Sequence, residues 1–238
     1  MTTRSLQKLI PMKKRLFMLI LAVCFTAGVF AQQAVEDKRS DSQLVFPEFL
    51  QAKVRQPMGR VTRARCNIMY KNAALCYVDE QDGKIRQAVV DNIIGVDFPA
   101  AESGEAARYL KVDDLAMGLV VGEQDGITLL RVTTIDMDRY RELTGGSTDL
   151  PYVSLDLGTG IDTFIELDGA EQQANKGYPL KERWVFRLRD GSFIPATERN
   201  VKKHVKKELK EAFKTLMGDR WWSWHDEPSL MKLFMYFE

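Results

Sequence analysis

The chain is poor in the side chains that most often do chemistry. Its 238 residues include two histidines, His204 and His225, and neither stands beside a serine in the G-x-S-x-G setting of a nucleophile elbow. Gly145-Gly146-Ser147-Thr148-Asp149 lacks the second glycine of that motif, and Gly158-Thr159-Gly160 is a lone G-x-G with no helix pattern behind it to hold a phosphate. Both read as loops. Three or four closely spaced histidine or cysteine ligands for zinc are absent, and Asp113-Asp114 or Asp136-Met137-Asp138 offer too few carboxylates for a calcium loop. Nothing in the sequence asks for a cofactor. Carboxylates are plentiful, yet no pair stands out for glycoside cleavage. Long hydrophobic runs are lacking too: the most apolar stretch, Leu16 to Ala27, is too short to cross a bilayer as a helix.

That short run is flanked as a signal peptide is. Residues 1–31 carry Arg4, Lys8, Lys13, Lys14 and Arg15 and no acid, and Val29-Phe30-Ala31 has the small-residue spacing of a signal-peptidase site. Cleavage after Ala31 is expected, with the natural start at Met1 or at Met12. A lipoprotein is the alternative, because Leu21-Ala22-Val23-Cys24 resembles a lipobox and a lipidated Cys24 would tether the protein to a membrane. Val23 is a poor residue before such a cysteine, so simple export to the periplasm or cell envelope is preferred. Removing five basic residues from 34 leaves 29 against 33 acidic, a net charge of −4, which disfavours a nucleic-acid partner.

Beyond a polar leader over residues 32–43, the pattern is that of a sheet. From Arg60 to Phe98 three runs of period-two alternation are broken by turns: Thr62, Ala64, Cys66, Ile68 and Tyr70 share one face, with Val61, Arg63, Arg65, Asn67 and Met69 on the other, and one face is expected to be wet. Lys71-Asn72-Ala73 supplies the first turn and Glu80-Gln81-Asp82-Gly83 the second. Further strands are expected at Tyr109 to Val112, Leu115 to Val121, Ile127 to Thr134, Tyr152 to Leu157, Thr163 to Leu167 and Arg183 to Leu188. Glu-Gln-Asp-Gly recurs at 123–126, and re-use of a good turn accounts for it better than a duplicated unit. A boundary or long surface loop is expected near 138–151.

Cys66 and Cys76 remain once Cys24 leaves with the signal, and an exported protein meets an oxidising compartment. A disulfide requires a three-residue loop that places them opposite each other; a two- or four-residue loop sends their side chains to opposite faces. The alternative is a pair of small buried hydrophobes.

After Pro195 the period changes. Val201, Val205, Leu209, Phe213 and Leu216 form a helical stripe among lysines, with Gly218 at the end; Asp226 caps a second helix with Pro228 in its first turn and Leu230, Leu233, Phe234 and Phe237 on one side. The expected fold is α+β: a mainly antiparallel β-sheet over 44–195, as a meander, partial barrel or sandwich, carrying a C-terminal two-helix hairpin over 196–238. Between the helices, Trp221, Trp222 and Trp224 could stack on a glycan, or pack back onto the sheet.

Asn67-Ile68-Met69-Tyr70, Asp82-Gly83-Lys84, Ala196-Thr197-Glu198-Arg199-Asn200-Val201 and Trp224-His225-Asp226-Glu227-Pro228-Ser229-Leu230 together give the chain a pattern that resembles a family of uncharacterised exported proteins of Gram-negative bacteria. The resemblance implies export and this architecture, and assigns no residue a role. The expected function is therefore a non-enzymatic, binding or structural protein of the periplasm or envelope, whose partner would be an envelope protein or a glycan. A glycan-binding module using the three tryptophans is the second reading and a secreted hydrolase the third.

Overall fold

A computed structural model describes residues 38–88, 92–100, 106–143 and 177–238. The signal peptide and its cleavage site, Cys24, residues 32–37 of the leader, the strands expected at 152–157 and 163–167, and Gly158-Thr159-Gly160 lie outside the described residues.

Eleven strands form one antiparallel sheet: β1 (Arg39–Ser40), β2 (Leu50–Arg55), β3 (Val61–Ile68), β4 (Leu75–Val78), β5 (Ile85–Gln87), β6 (Gly95–Phe98), β7 (Ala107–Lys111), β8 (Met117–Gln124), β9 (Ile127–Ile135), β10 (Tyr178–Arg187) and β11 (Phe193–Pro195). Their order is β1-β10-β9-β8-β7-β6-β2-β3-β4-β5, with β11 added on β10. The sheet curls into a half-barrel because the β3–β4 turn, residues 70–73, folds across to the other limb. Ala74 bridges Ala116, the Met117 amide donates to the Ala73 carbonyl at 2.8 Å, and the Ile135 amide donates to Tyr70 at 2.7 Å. Ala73, Ala74 and Ala116 are buried there, and side chains this small let the two limbs approach.

Strand parity puts one face of the sheet inside. Ala52, Val54, Cys66, Ile68, Val96, Phe98, Tyr109 and Met117 pack together within the curl, and the loop before β2 plugs one side with Phe46, whose ring lies 4.5 Å from that of Phe98. Ile127, Leu129, Trp184, Phe186 and Leu188 continue the inner face along β9 and β10, where the C-terminal segment covers them. A bulge in β8 assists: Val120 faces Leu130 while Gly122 faces Leu129, so the extra Val121 shifts parity and brings Gly122 inward. A Cβ on Gly122 would stand 2.5 Å from the Met231 side chain, so the glycine is the seat on which the tail rests.

The turns follow their residues. Asp125 and Gly126 both adopt positive φ, 51° and 78°, the requirement of a two-residue hairpin turn matched to strand twist. The same tetrapeptide at 80–83 makes a longer turn, in which the Gly83 amide donates to the Asp79 carbonyl and the Asp79 carboxylate accepts from the Gln81 amide. One sequence, two geometries: the recurrence is re-use of a turn and not a repeated unit.

The tail departs from the two-helix expectation. Instead of one helix across 200–217 there are α2 (Glu198–Val201), single 3-10 turns at Lys202–His204 and Lys207–Leu209, and α3 (Lys210–Met217); α4 (Glu227–Met231) then runs into a 3-10 turn at Lys232–Tyr236. The break has a cause. Val205 is extended and bridges Phe237, and the Lys206 amide donates to the Tyr236 carbonyl at 2.9 Å, so pairing with the chain's own end replaces helical bonds. The apolar stripe survives the break, with Val201, Val205 and Phe213 buried. Asp226 caps α4 as expected, accepting from the Ser229 amide at 2.9 Å. Four fully buried anchors, Leu230, Leu233, Phe234 and Phe237, are each worth roughly 1.5–3 kcal/mol, so the tail is part of the core.

Other expectations need correction. β2 falls in a stretch assigned no strand, and it sits centrally between β6 and β3. Residues 38–43 of the leader are built in: β1 pairs with β10, and Gln43 is buried, its Nε2 donating to the Tyr178 hydroxyl. The outer face of β3 is wet only to Arg65; Asn67 and Met69 are buried because the segment 43–48 crosses over them. Part of the loop expected near 138–151 is helical, as α1 (Met137–Leu143), with Tyr140 buried against Tyr178.

Candidate functional site

The half-barrel leaves a cup of about 250 Å³ on its inner face, where the β2–β7 part of the core meets the tail-covered part. Phe46, Ile68, Met117 and Leu119 give it apolar walls, and Tyr70, Tyr109, Arg131 and Thr133 bring polar groups to the same space. Each comes from a different stretch. Arg131 and Thr133 are inward positions of β9, Leu119 is register-paired with Arg131, Tyr109 with Leu119, and Tyr70 arrives from the turn that closes the barrel.

Arg131 is the unusual member, a half-buried guanidinium in a strand otherwise made of Ile, Leu, Val and Thr. Glu182 lies 3.7 Å and Glu227 3.8 Å from it, close enough for charge compensation but beyond hydrogen-bonding distance. Glu182 is itself held by Lys38 at 2.9 Å. The guanidinium also lies over the Trp184 ring at 5.8 Å, which fixes its plane. Its N–H groups make no hydrogen bond among the described residues. Burial raises the Tyr70 phenol, and Arg131 and a hydrogen bond with Ser40 offset this only in part. Burial likewise pushes the Tyr109 phenol far up, with Tyr70 adding to the shift. Both therefore stay protonated and able to donate at neutral pH.

The three tryptophans do not form one platform. Trp221 is 79% exposed, with Arg220 over its ring at 5.5 Å, whereas Trp222 and Trp224 pack against the tail core and meet each other edge-on at 5.3 Å. A larger space of about 510 Å³ lies open along α3, lined by Ala212, Thr215, Leu216, Gly218, Asp219 and Tyr236, and its polar groups do not converge as those of the cup do.

Cys66 and Cys76 are both free and buried. Cys66 pairs in register with Tyr77, and Cys76 with Asn67, so the four-residue turn sets the two thiols on opposite faces of the sheet. The disulfide is therefore not made, and each cysteine is a small core residue. Burial pushes the Cys66 thiol up to about 12 and the Cys76 thiol further.

For hydrolysis, one grouping of a hydroxyl, a carboxylate and an imidazole is Ser192, Asp190 and His204. There the Ser192 hydroxyl donates to Asp190 at 2.6 Å on an exposed turn, so its proton is directed at the acid and not at the ring. The acids considered for calcium are caps: Asp113 accepts from the Ala116 amide and pairs with Arg183, and Asp136 accepts from the first amides of α1. Among the described residues no three histidine, cysteine or acidic side chains gather as a metal site. Likewise, none of the described helices is long and apolar enough to cross a membrane.

The site was not singled out from sequence, although one signal existed: Arg131 is the one charged residue of a strand otherwise made of Ile, Leu, Val and Thr, and a charge at an inward strand position is rare. Fold and site together define a class, an antiparallel half-barrel with a polar-tipped cup on its inner face and a helical tail covering the neighbouring part of that face. The chain matches no protein-family model, no curated protein and no solved structure.

Proposed function

We propose that this is an exported, non-enzymatic binding protein of the periplasm or envelope, and that the cup takes a small amphiphile with an anionic or otherwise hydrogen-bond-accepting head. Arg131 carries the reading. A half-buried guanidinium with charge compensation and no hydrogen bond has donors to offer, and the cup sets them among apolar walls beside two phenolic donors. The volume limits the guest to a short chain or single ring. The cup's lining has no carboxylate, which disfavours the hydrolase reading, and the packing of Trp222 and Trp224 edge-on against the tail core, with only Trp221 exposed, disfavours the glycan platform.

Octanoate and octylamine test the proposal, since they share a tail and differ in the sign of the head. Octanoate should raise the thermal midpoint of the protein and octylamine should not, and the shift should vanish in Arg131→Gln and in Leu119→Trp, which fills the recess. An octanoate shift that persists in both variants, or none in the wild type, would falsify the cup as a binding site. Export is tested separately by N-terminal sequencing of the extracytoplasmic protein, expected to begin at Gln32.

A further inference from the structure

The β2–β3 hairpin presents a surface that the rest of the fold does not use. Ala52, Val54 and Cys66 point into the core, so Lys53, Val61, Arg63 and Arg65 point out, and Lys53 lies directly across from Arg63 in the register. Like charges facing each other across a ladder are unfavourable on their own. Lys53, Arg60, Arg63 and Arg65 make no ion pair among the described residues; Asp97, which lies across from Lys53 on β6, pairs with Arg55 at 3.0 Å. At the tip, Met58 is 99% exposed and holds a φ of 59°, a conformation that a side chain other than glycine or asparagine adopts at a cost. Val61, next along, is also exposed.

We infer that this hairpin docks the protein on an anionic lipid surface, with Met58 entering the headgroup layer and the four cations running back from it along the outer face of the hairpin. Several features select lipid over other anions. An apolar residue held at the apex of a turn fits an interface with a hydrocarbon side, and long basic side chains around it reach back to phosphates. A duplex nucleic acid would use the cations and leave Met58 in water. The surface is on the convex side, opposite the cup, so docking leaves the cup unobstructed, and it requires no lipid anchor at Cys24.

The mature protein, beginning at Gln32, is tested by co-sedimentation with vesicles of phosphatidylcholine alone and of an equimolar mixture with phosphatidylglycerol. Binding should be confined to the anionic vesicles and weaken with salt. Arg63→Gln with Arg65→Gln should lower the partition constant roughly 30-fold, about fivefold for each charge, while Lys202→Glu with Lys203→Glu on the tail should leave it unchanged. A polarity-sensitive dye on Met58→Cys, the other two thiols of the mature protein being buried, should shift to the blue on the anionic vesicles. The inference is overturned if that dye stays in a watery environment while the protein is bound, if the tail pair matters as much as the hairpin pair, or if the hairpin variants lose binding to a DNA duplex and vesicles are ignored.

Discussion

The backbone of Val205 pairs with that of Phe237, and the Phe237 ring lies 4.9 Å from Phe186 on β10. One residue near the end of the chain thus ties together the broken helical segment, the sheet and the terminus. Leu230, Leu233 and Phe234 fill the rest of the same core.

Phe237→Ala should cost about 3–5 kcal/mol, the usual range for emptying a buried aromatic site. Deleting residues 226–238 should cost more and send the protein into aggregates. Both are read by thermal unfolding monitored by circular dichroism. A truncated protein that melts as the intact one does would make the tail an independent appendage.

Asn67 should be nearly as important as any apolar residue. It is fully buried; its Oδ1 accepts from the Phe46 and Ile68 amides, and its Nδ2 donates to the carbonyls of Phe46 and Glu48 at 2.8 and 3.0 Å. Asn67→Ala strands main-chain groups of the 46–48 segment away from water, a loss of about 2–4 kcal/mol. Because Phe46 walls the cup, the same variant should also weaken octanoate binding. Chemical denaturation and the thermal-shift assay measure the two effects, and unchanged octanoate affinity would argue against the loop as a wall.

The thiols give a pH dependence with a definite sign. Folded Cys66 holds its proton up to about pH 12, whereas an unfolded thiol releases it near 8.5. The folded state binds more protons through that window, so the stability contributed by the neutral thiols is complete below about pH 8.5 and declines as pH rises toward 12. Replacing both cysteines with alanine should flatten this alkaline decline at some cost in packing. In the native protein neither thiol should react with maleimide at pH 8, and both should react in denaturant.

What could be read from the sequence was whatever depends on neighbours in the chain. Asp125-Gly126 announces a hairpin because few other pairs tolerate two positive φ values, and Asp226 announces a cap because its carboxylate needs only the amide three residues on. Long-range pairing was hidden. β2 alternates as a strand should, with Leu50, Ala52 and Val54 inward, yet its partners are β3 and β6, the second of them some way along the chain. The helix break at Val205 depends on Phe237, and the burial of Asn67 on residues twenty positions earlier in the chain. The cup was least legible, since Tyr70, Tyr109 and Arg131 converge only after the β3–β4 turn has crossed to the other limb. The tryptophan cluster was conspicuous in sequence, and the fold divides it, with Trp222 and Trp224 packed together and Trp221 exposed.

The bulge in β8 has a consequence for the history of the chain. With Val121 as the extra residue, Gly122 lies under Met231 and Phe234. Deleting Val121 would restore an even ladder and leave Gly122 opposite Leu129, still facing the tail. A side chain at 122 would instead push the Met231 thioether aside. What the chain's descendants must keep is therefore the match between these two positions and not the extra residue: a larger residue at 122 should travel with a smaller one at 231.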